Sequence, residues 1–426
     1  MMAAGLAHTL LVFIVAISIL LMLIRPRGIP EVYWVGGGVL LLLCLRLISL
    51  RVAGKAVAEG TDVYLFLIGM MLLSELAKEN GVFDWLSSVA VGSARGSCSR
   101  LFALTYGIGI VVTVCLSNDA TAVVLTPAVL TAVRRAKVQP LPYLFACAMI
   151  ANAASFVLPI SNPANLVVFH SATPPLGHWL LAFFVPSLAS IAVTFAVLRW
   201  YFRRDLRASI DCEVEKIRLN GNGRLVLAGL ALVILVLLTA SALGKDLGLP
   251  TCLAAVAITA VLAIKSRRSP LKLAREISWS TLALVAALFV MVHAVQSIGA
   301  LQLAQQALAA AQRLPASVAA CLITFAVGIG NNLVNNLPLG LIAGAALTAS
   351  HIHGLTTNAV MIGVDLGPNL SITGSLATIL WLIALRKENL NVSFLDFLKT
   401  GILAMPAALL ASIAAAIAMH AILPNN

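Results

Sequence analysis

Apolar runs of lipid-spanning length recur from one end of this chain to the other. They lie near 6–24, 31–50, 62–77, 101–133, 141–173 and 177–201, and again near 225–243, 249–264, 279–297, 315–350, 356–384 and 399–422. A helix of roughly 20 apolar residues crosses the hydrocarbon core, where every backbone polar group must find its partner inside the protein. The fold class that follows is an all-α polytopic membrane protein. Composition agrees: 61% of the 426 residues are hydrophobic and 10% are charged, with a mean hydropathy of +1.02. A soluble chain carries roughly a quarter charged residues. The longest polar stretch, 202–224, is a linker rather than a domain. The first run is followed by Arg25-Pro26-Arg27 instead of a small-residue cleavage site, so it reads as a membrane helix and not a signal peptide.

The runs of the two halves match in order and length at an offset near 218 that falls to 212 at the end. Gly81 pairs with Gly299, Asn118 with Asn335, Asp119 with Asn336, and Ile160-Ser161 with Ile372-Thr373. Residues 1–201 and 225–426 thus read as two repeats joined by the basic linker 202–224. Treating the fourth run of each half as a re-entrant hairpin leaves five crossings per half. That odd number makes the repeats inverted. With the Arg-rich linker placed in the cytoplasm, both termini lie on the opposite side, and 23 of the 28 Lys and Arg residues fall inside. Such a bias is the positive-inside rule, and it accounts for the net charge of +12 without nucleic acid.

Four polar breaks interrupt the apolar runs: Ser117-Asn118-Asp119, Pro159 to Asn165, Asn335-Asn336-Leu337-Pro338, and Asp365 to Asn369 leading to Thr373-Gly374-Ser375. The arms 101–116 and 120–133 each read as too short to span, so a hairpin with a tip near the midplane fits them. Paired breaks in two halves mark the binding site of a secondary transporter. Half-helix N-termini there offer free amides to oxygen ligands. Candidate ligand residues are Ser117, Asn118, Ser161, Asn162, Asn335, Asn336, Thr373 and Ser375. Asp119 and Asp365 are the deepest carboxylates. An intramembrane carboxylate is functional by default, so each is a candidate to load and release a proton; Asp365 equally fits an Asx-type turn. His293 fits a packing histidine or a proton relay. Cys115, one turn before the first tip, fits core filling or a thiolate ligand, and Glu75 and Glu79 read as interfacial. The seven cysteines show no CxxC and no zinc spacing. No metal or other cofactor is expected.

At these breaks the chain resembles the ArsB arsenite-efflux permeases of the ion transporter superfamily. The carrying segments are Ser117-Asn-Asp-Ala-Thr-Ala-Val-Val-Leu-Thr-Pro127, Asn335-Asn-Leu-Pro338 and Val364-Asp-Leu-Gly-Pro-Asn-Leu-Ser-Ile-Thr-Gly-Ser-Leu-Ala-Thr-Ile-Leu-Trp381. The resemblance implies export of As(OH)3 and Sb(OH)3 across the bacterial inner membrane, driven by protons through an elevator-type motion. It also implies an optional soluble ArsA-type ATPase partner and a superfamily tendency to form homodimers. The chemistry is compatible: a neutral triol wants amides, hydroxyls and carbonyls, and no Lys or Arg falls at the four breaks. An oxyanion or carboxylate would want such cations.

Two other readings compete. One is a sodium/proton antiporter or a dicarboxylate carrier of the same superfamily: the antiporter could use Asp119 and Asp365 as cation ligands, whereas a dicarboxylate carrier would be expected to show Ser-Asn-Thr at both tips, where this chain has Ser-Asn-Asp and Asn-Asn. A membrane enzyme would need a nucleophile–base pair or metal ligands near one face, and seven scattered histidines without HExxH argue against it.

Overall fold

The computed structural model describes residues 2–169, 173–210, 217–266, 275–297 and 299–422, and all its regular elements are helical. Cys212 and the centre of the linker lie outside the described residues. The first part runs α1 (Met2–Ile24), α2 (Glu31–Cys44), α3 (Leu50–Glu59), α4 (Thr61–Glu79), α5 (Val82–Ser93) and α6 (Cys98–Cys115). After a break at 116–117 come α7 (Asn118–Ala120), a π-helical turn (Thr121–Leu125) and α8 (Thr126–Arg135). Then follow α9 (Leu141–Ala153), a 3-10 turn (Pro159–Ser161), α10 (Pro163–Phe169) and α11 (Leu176–Tyr201). The second part holds α12 (Gly221–Ala242), α13 (Gly248–Ser266), α14 (Trp279–Ser297), α15 (Ala300–Ala311), α16 (Ala316–Val334) and α17 (Asn336–Ala349). It ends with α18 (Leu355–Leu366), two 3-10 turns (Gly367–Asn369, Ile372–Gly374), α19 (Leu376–Lys387) and α20 (Phe394–Ile422).

Seven of the described helices are long and apolar enough to cross a bilayer, and the bent pair α3–α4 makes an eighth. The sequence suggested ten crossings. The two counts cover different helices: the hairpin arms α6 and α16 pass the length test, whereas α1 counts only over Ala7–Met22, α2 is too short, and α9 with α10, and α18 with α19, are split by 3-10 turns. Two expectations change. The apolar run 31–50 is a helix only to Cys44; Arg46 turns the chain at φ 55°, and Ser49 caps α3 by accepting the Val52 amide at 3.2 Å. Helix α3 is amphipathic, with Ala53 and Ala56 buried and Arg51 and Lys55 exposed. The first arms of the two hairpins are also longer than expected: α6 and α16 each have span length, since α6 begins at Cys98, ahead of its apolar run.

The chain nonetheless turns back on itself at both tips. Thr113 and Thr121 share a hydrogen bond of 2.8 Å across the first break, whereas eight residues of continuous helix would separate them by about 12 Å. At the second break a side chain added to Gly330 would meet Leu339 Cδ2 at 3.1 Å. Asn335 makes that turn at φ 74° and ψ 153°, a strained conformation that glycine normally occupies and that the surrounding structure must hold. Gly81 and Gly299, paired by sequence, both start amphipathic helices (α5 and α15) at positive φ, 71° and 96°.

Lipid tails are as apolar as leucine, so close packing and internal hydrogen bonds hold membrane helices together. Trp381 donates from Nε1 to the Leu144 carbonyl at 3.2 Å and stacks edge-on with Phe145 and Phe397, each 5.7 Å between centroids. This buried cluster joins α19 and α20 to α9. The α16–α18 contact depends on glycine: a Cβ on Gly363 would lie 2.8 Å from both the Thr324 carbonyl oxygen and Val327 Cβ. Gly363→Val is therefore expected to force these helices apart and destabilise the protein by about 1–3 kcal/mol. A thermal unfolding midpoint in detergent equal to wild type would contradict this packing.

Candidate transport chamber between the two hairpin tips

Ser117 and Asn335 hold equivalent places. Each caps the helix that follows a tip: Ser117 Oγ accepts the Ala120 amide at 3.2 Å, and Asn335 Oδ1 accepts the Leu337 amide at 3.3 Å. The caps therefore align Ser117 with Asn335 and Asn118 with Asn336. This is one residue off the alignment read from sequence, which had matched Asn to Asn. The broken segments mirror each other as well. Ser161 Oγ donates to the Val114 carbonyl at 3.2 Å, and Thr373 Oγ1 donates to the Asn332 carbonyl at 3.2 Å. In each half a hydroxyl from the 3-10 turn thus satisfies a carbonyl left free by the end of a hairpin arm.

Between these parts lies a narrow cavity of about 20 Å³, room for roughly one water molecule, lined by Val63, Leu67, Asn118, Asp119, Asn162, Pro163, Thr281, Val285, Asn336, Leu337, Ser375, Leu376 and Ala377. Nearly every wall residue has a counterpart in the same wall. Val63 with Thr281, Leu67 with Val285, Asn118 with Asn336 and Asp119 with Leu337 are each 218 positions apart; Asn162 with Ser375 and Pro163 with Leu376 are 213 apart. The tips and broken helices supply the polar groups, while α4 and α14 supply a mainly aliphatic wall.

Several polar groups in the chamber are already engaged. Asn162 Nδ2 donates to Asp365 Oδ1 at 2.5 Å while its own Oδ1 accepts the Ala164 amide at 3.0 Å, which starts α10. Ser375 Oγ caps α19 by accepting the Thr378 amide at 3.2 Å. Asn118 Oδ1 accepts the Asp119 amide at 2.9 Å. The Asn118 amino group, the Asp119 carboxylate and the Asn336 amide remain as groups able to take a ligand.

A second cavity, of about 180 Å³, adjoins the first through Leu67, Asp119, Pro163 and Thr281. It also touches Met71, Ser74, Glu75, Ser117, Glu276 and Ser278. Glu75 lies one turn from the end of α4, where Lys78 binds it at 2.9 Å. Glu276 and Ser278 follow the basic stretch at 265–275. This vestibule thus leads from the chamber toward the C-terminal end of α4 and the N-terminal end of α14, with Asp119 at its neck. Among the described residues, no Lys or Arg lines either cavity.

The structure sorts the sequence candidates. It brings Asn118, Asp119, Asn162, Asn336 and Ser375 into the chamber wall, with Ser117 in the vestibule. It places Asn335, Ser161 and Thr373 just behind the wall, as caps and braces. Asp365 is fully buried and reaches the chamber only through Asn162. Glu75, read as interfacial, lines the vestibule, and Cys115 is only partly buried and outside both walls. Sequence reasoning missed Val63, Leu67, Thr281 and Val285, which sit in uninterrupted apolar runs; only their 218-residue spacing marks them. It also missed Asn152 and Asn331, and the bracing role of Asn369. Asn152 donates to Asn369 Oδ1 at 2.9 Å, Asn369 donates to the Met149 carbonyl at 3.0 Å, and Asn331 donates to the Gly363 and Val364 carbonyls at 2.8 and 2.9 Å.

Comparisons with known proteins agree with a carrier. The profile of the citrate transporter family CitMHS matches residues 10–367. The arsenical pump membrane protein of Yersinia enterocolitica is 26% identical over 414 residues, covering 92% of this chain and 94% of its own length. An arsenical pump membrane protein of Escherichia coli is 25% identical over 409 residues, covering 91% and 94%. Among solved structures, the Alcanivorax borkumensis YdaH transporter superposes with a TM-score of 0.57 at 16% identity, covering 86% of each chain, which supports a shared fold.

The Asn162–Asp365 bond gives a direct test. Asn162→Ala removes the α10 cap and strips a buried carboxylate of its donor, at an expected cost of about 2–3 kcal/mol or more. Adding Asp365→Asn should recover part of that loss, because a neutral amide is cheaper to bury. Equal thermal midpoints for the single and double variants would show that the two side chains are not coupled.

Proposed function

Because this chain belongs to the CitMHS transporter family and is a membrane transporter rather than an enzyme, we propose that it exports arsenite, As(OH)3, and antimonite, Sb(OH)3, in exchange for protons. The observation that carries the reading is the chamber itself. It offers one amino group, one amide and one carboxylate without a single lining Lys or Arg, beside relatives named as arsenical pumps. Arsenous acid is neutral near pH 7 and presents three hydroxyls that both donate and accept. Asn118 can donate to one, Asn336 can bond a second in either sense, and the Asp119 carboxylate can accept from the third. Citrate, the solute in the family's name, would bring several negative charges beside Asp119 with no cation to meet them.

Coupling follows from having one group serve both ligands. Ionised Asp119 holds the triol from the vestibule side. A proton arriving from the opposite side removes the acceptor and weakens the grip, and its release to the cytoplasm resets the site. We assign the chain two inverted repeats, 1–201 and 225–426, each with a re-entrant hairpin, in a bacterial inner membrane with the linker cytoplasmic and both termini periplasmic. The paired chamber walls and the equal hydroxyl-to-carbonyl bonds at Ser161 and Thr373 support that assignment. An elevator-type motion is supported by the bonds among hairpins and broken helices, which tie them into one body facing the aliphatic wall of α4 and α14. A soluble ATPase partner and a homodimer belong to the same family-level expectation.

Sodium/proton exchange is the competing reading, resting on Asp119 alone within the chamber. Everted vesicles separate the two: arsenite should be taken up in a manner that consumes a preset pH gradient, and sodium alone should leave that gradient intact. Collapse of the gradient by sodium without arsenite would overturn the proposal. Asp119→Asn should fold and reach the membrane yet abolish proton-coupled uptake, and cells carrying it should lose arsenite resistance. Full resistance would remove Asp119 from the coupling role.

A further inference from the structure

The pairing that builds the chamber also maps onto its entrance. The vestibule residues Leu67, Met70, Met71, Ser74 and Glu75 have counterparts 218 positions on: Val285, Leu288, Phe289, Val292 and His293. On the facing wall, Ser278 and Thr281 correspond to Gly60 and Val63 at the same spacing. In this structure the counterpart set is shut. Leu288, Phe289 and Val292 are 2–4% exposed. The Tyr64 ring packs edge-on against Phe289 with centroids 6.0 Å apart. Beyond them His293 Nε2 lies 3.2 Å from Glu59 Oε2 at the end of α3, and His293 Nδ1 lies 3.2 Å from the Phe289 carbonyl oxygen.

We infer that these residues form a second vestibule, leading from the chamber to the face opposite the linker, and that the Glu59–His293 contact latches it shut. Val285 and Val63 already belong to the chamber wall, so this path begins where the open vestibule ends. Glu75 and His293 occupy matching stations on α4 and α14. One stands beside open space and the other is pinned. Glu59 has a second neighbour on its own helix, Lys55, at 4.0 Å. The latch therefore ties the amphipathic α3 across the outer end of α14, and Tyr64, the first large side chain of α4, plugs the gap below. A carrier that presents one chamber alternately to two faces needs two such paths, of which a single conformation opens one. The segment would carry the neutral triol outward, past His293 and Glu59 at the mouth, when the tips move toward that face.

This inference rests on the transporter reading above, and the test keeps the two apart. The full-length protein, with its native cysteines replaced by serine, receives one new cysteine and is exposed to a membrane-impermeant maleimide in vesicles of either orientation. Ser74→Cys, in the open vestibule, should react from the linker face; reaction from the opposite face alone would refute the orientation on which the inference rests. Val292→Cys, at the matching station, should react from the opposite face only. Releasing the latch with Glu59→Gln should raise its labelling rate about two- to fivefold, as expected for loss of a partly exposed polar contact. If Val292→Cys does not reach the membrane, Leu288→Cys reads the same path. A carrier that still transports arsenite while both outer positions stay unreactive, or react from the linker face, overturns the inference and leaves the function standing. An unchanged rate with Glu59→Gln overturns the latch.

Discussion

Broken helices inside a membrane can exist only if every freed backbone group finds a partner in the protein, and this constraint organises the whole chain. Each break is met by a short polar side chain from another element. Asn165 donates to the carbonyls of Ser155, Leu158 and Pro159 at 2.9–3.3 Å. Asn332 donates to the Gly328 carbonyl at 2.9 Å and the Gly367 carbonyl at 3.0 Å. Asn152 and Asn369 join the two broken segments directly. Water in the bilayer core cannot substitute for these groups, so removing one leaves a buried polar atom unpaired. The same asparagines and serines that make the breaks tolerable also fix the position of the tips. Structural bracing and ligand positioning are one arrangement seen from two sides.

The division of labour around the chamber follows. Asn335, Ser161, Thr373 and Asp365 stand behind the wall and hold it. Asn118, Asp119 and Asn336 face the cavity with groups to spare. The opposing wall from α4 and α14 is nearly without polar atoms, Thr281 excepted. Small residues such as Gly363 let α16 and α18 approach closely enough for the Asn331 side chain to reach the α18 carbonyls.

Much of this is legible in sequence because lipid punishes polar residues severely. Ser117-Asn118-Asp119 and Asn335-Asn336 stand out for that reason, and both mark chain reversals. Gly81 and Gly299 stand out as a matched pair, and both sit at positive φ. What sequence hides is whatever costs nothing locally. Val63 and Val285 look like any other aliphatic residue in a long run, and their role depends on what faces them. Helix α3 carries too many charges for an apolar-run search to find, yet buries Ala53 and Ala56. The one-residue shift at the tips arose because matching residue type put Asn118 opposite Asn335. Matching the capping role, which serine and asparagine share, puts Ser117 there. Asp365 and Asp119 look alike in sequence and are separated only by depth behind the wall.

The central claim is that a neutral metalloid hydroxide binds between the two tips. Antimony scatters strongly and anomalously, so a structure of the full-length protein with antimonite tests this most directly. The account predicts one anomalous peak in the chamber, within hydrogen-bonding reach of Asn118, Asp119 and Asn336. A peak bound elsewhere, such as at the Cys115 thiol, with the chamber empty at saturating antimonite, would contradict it.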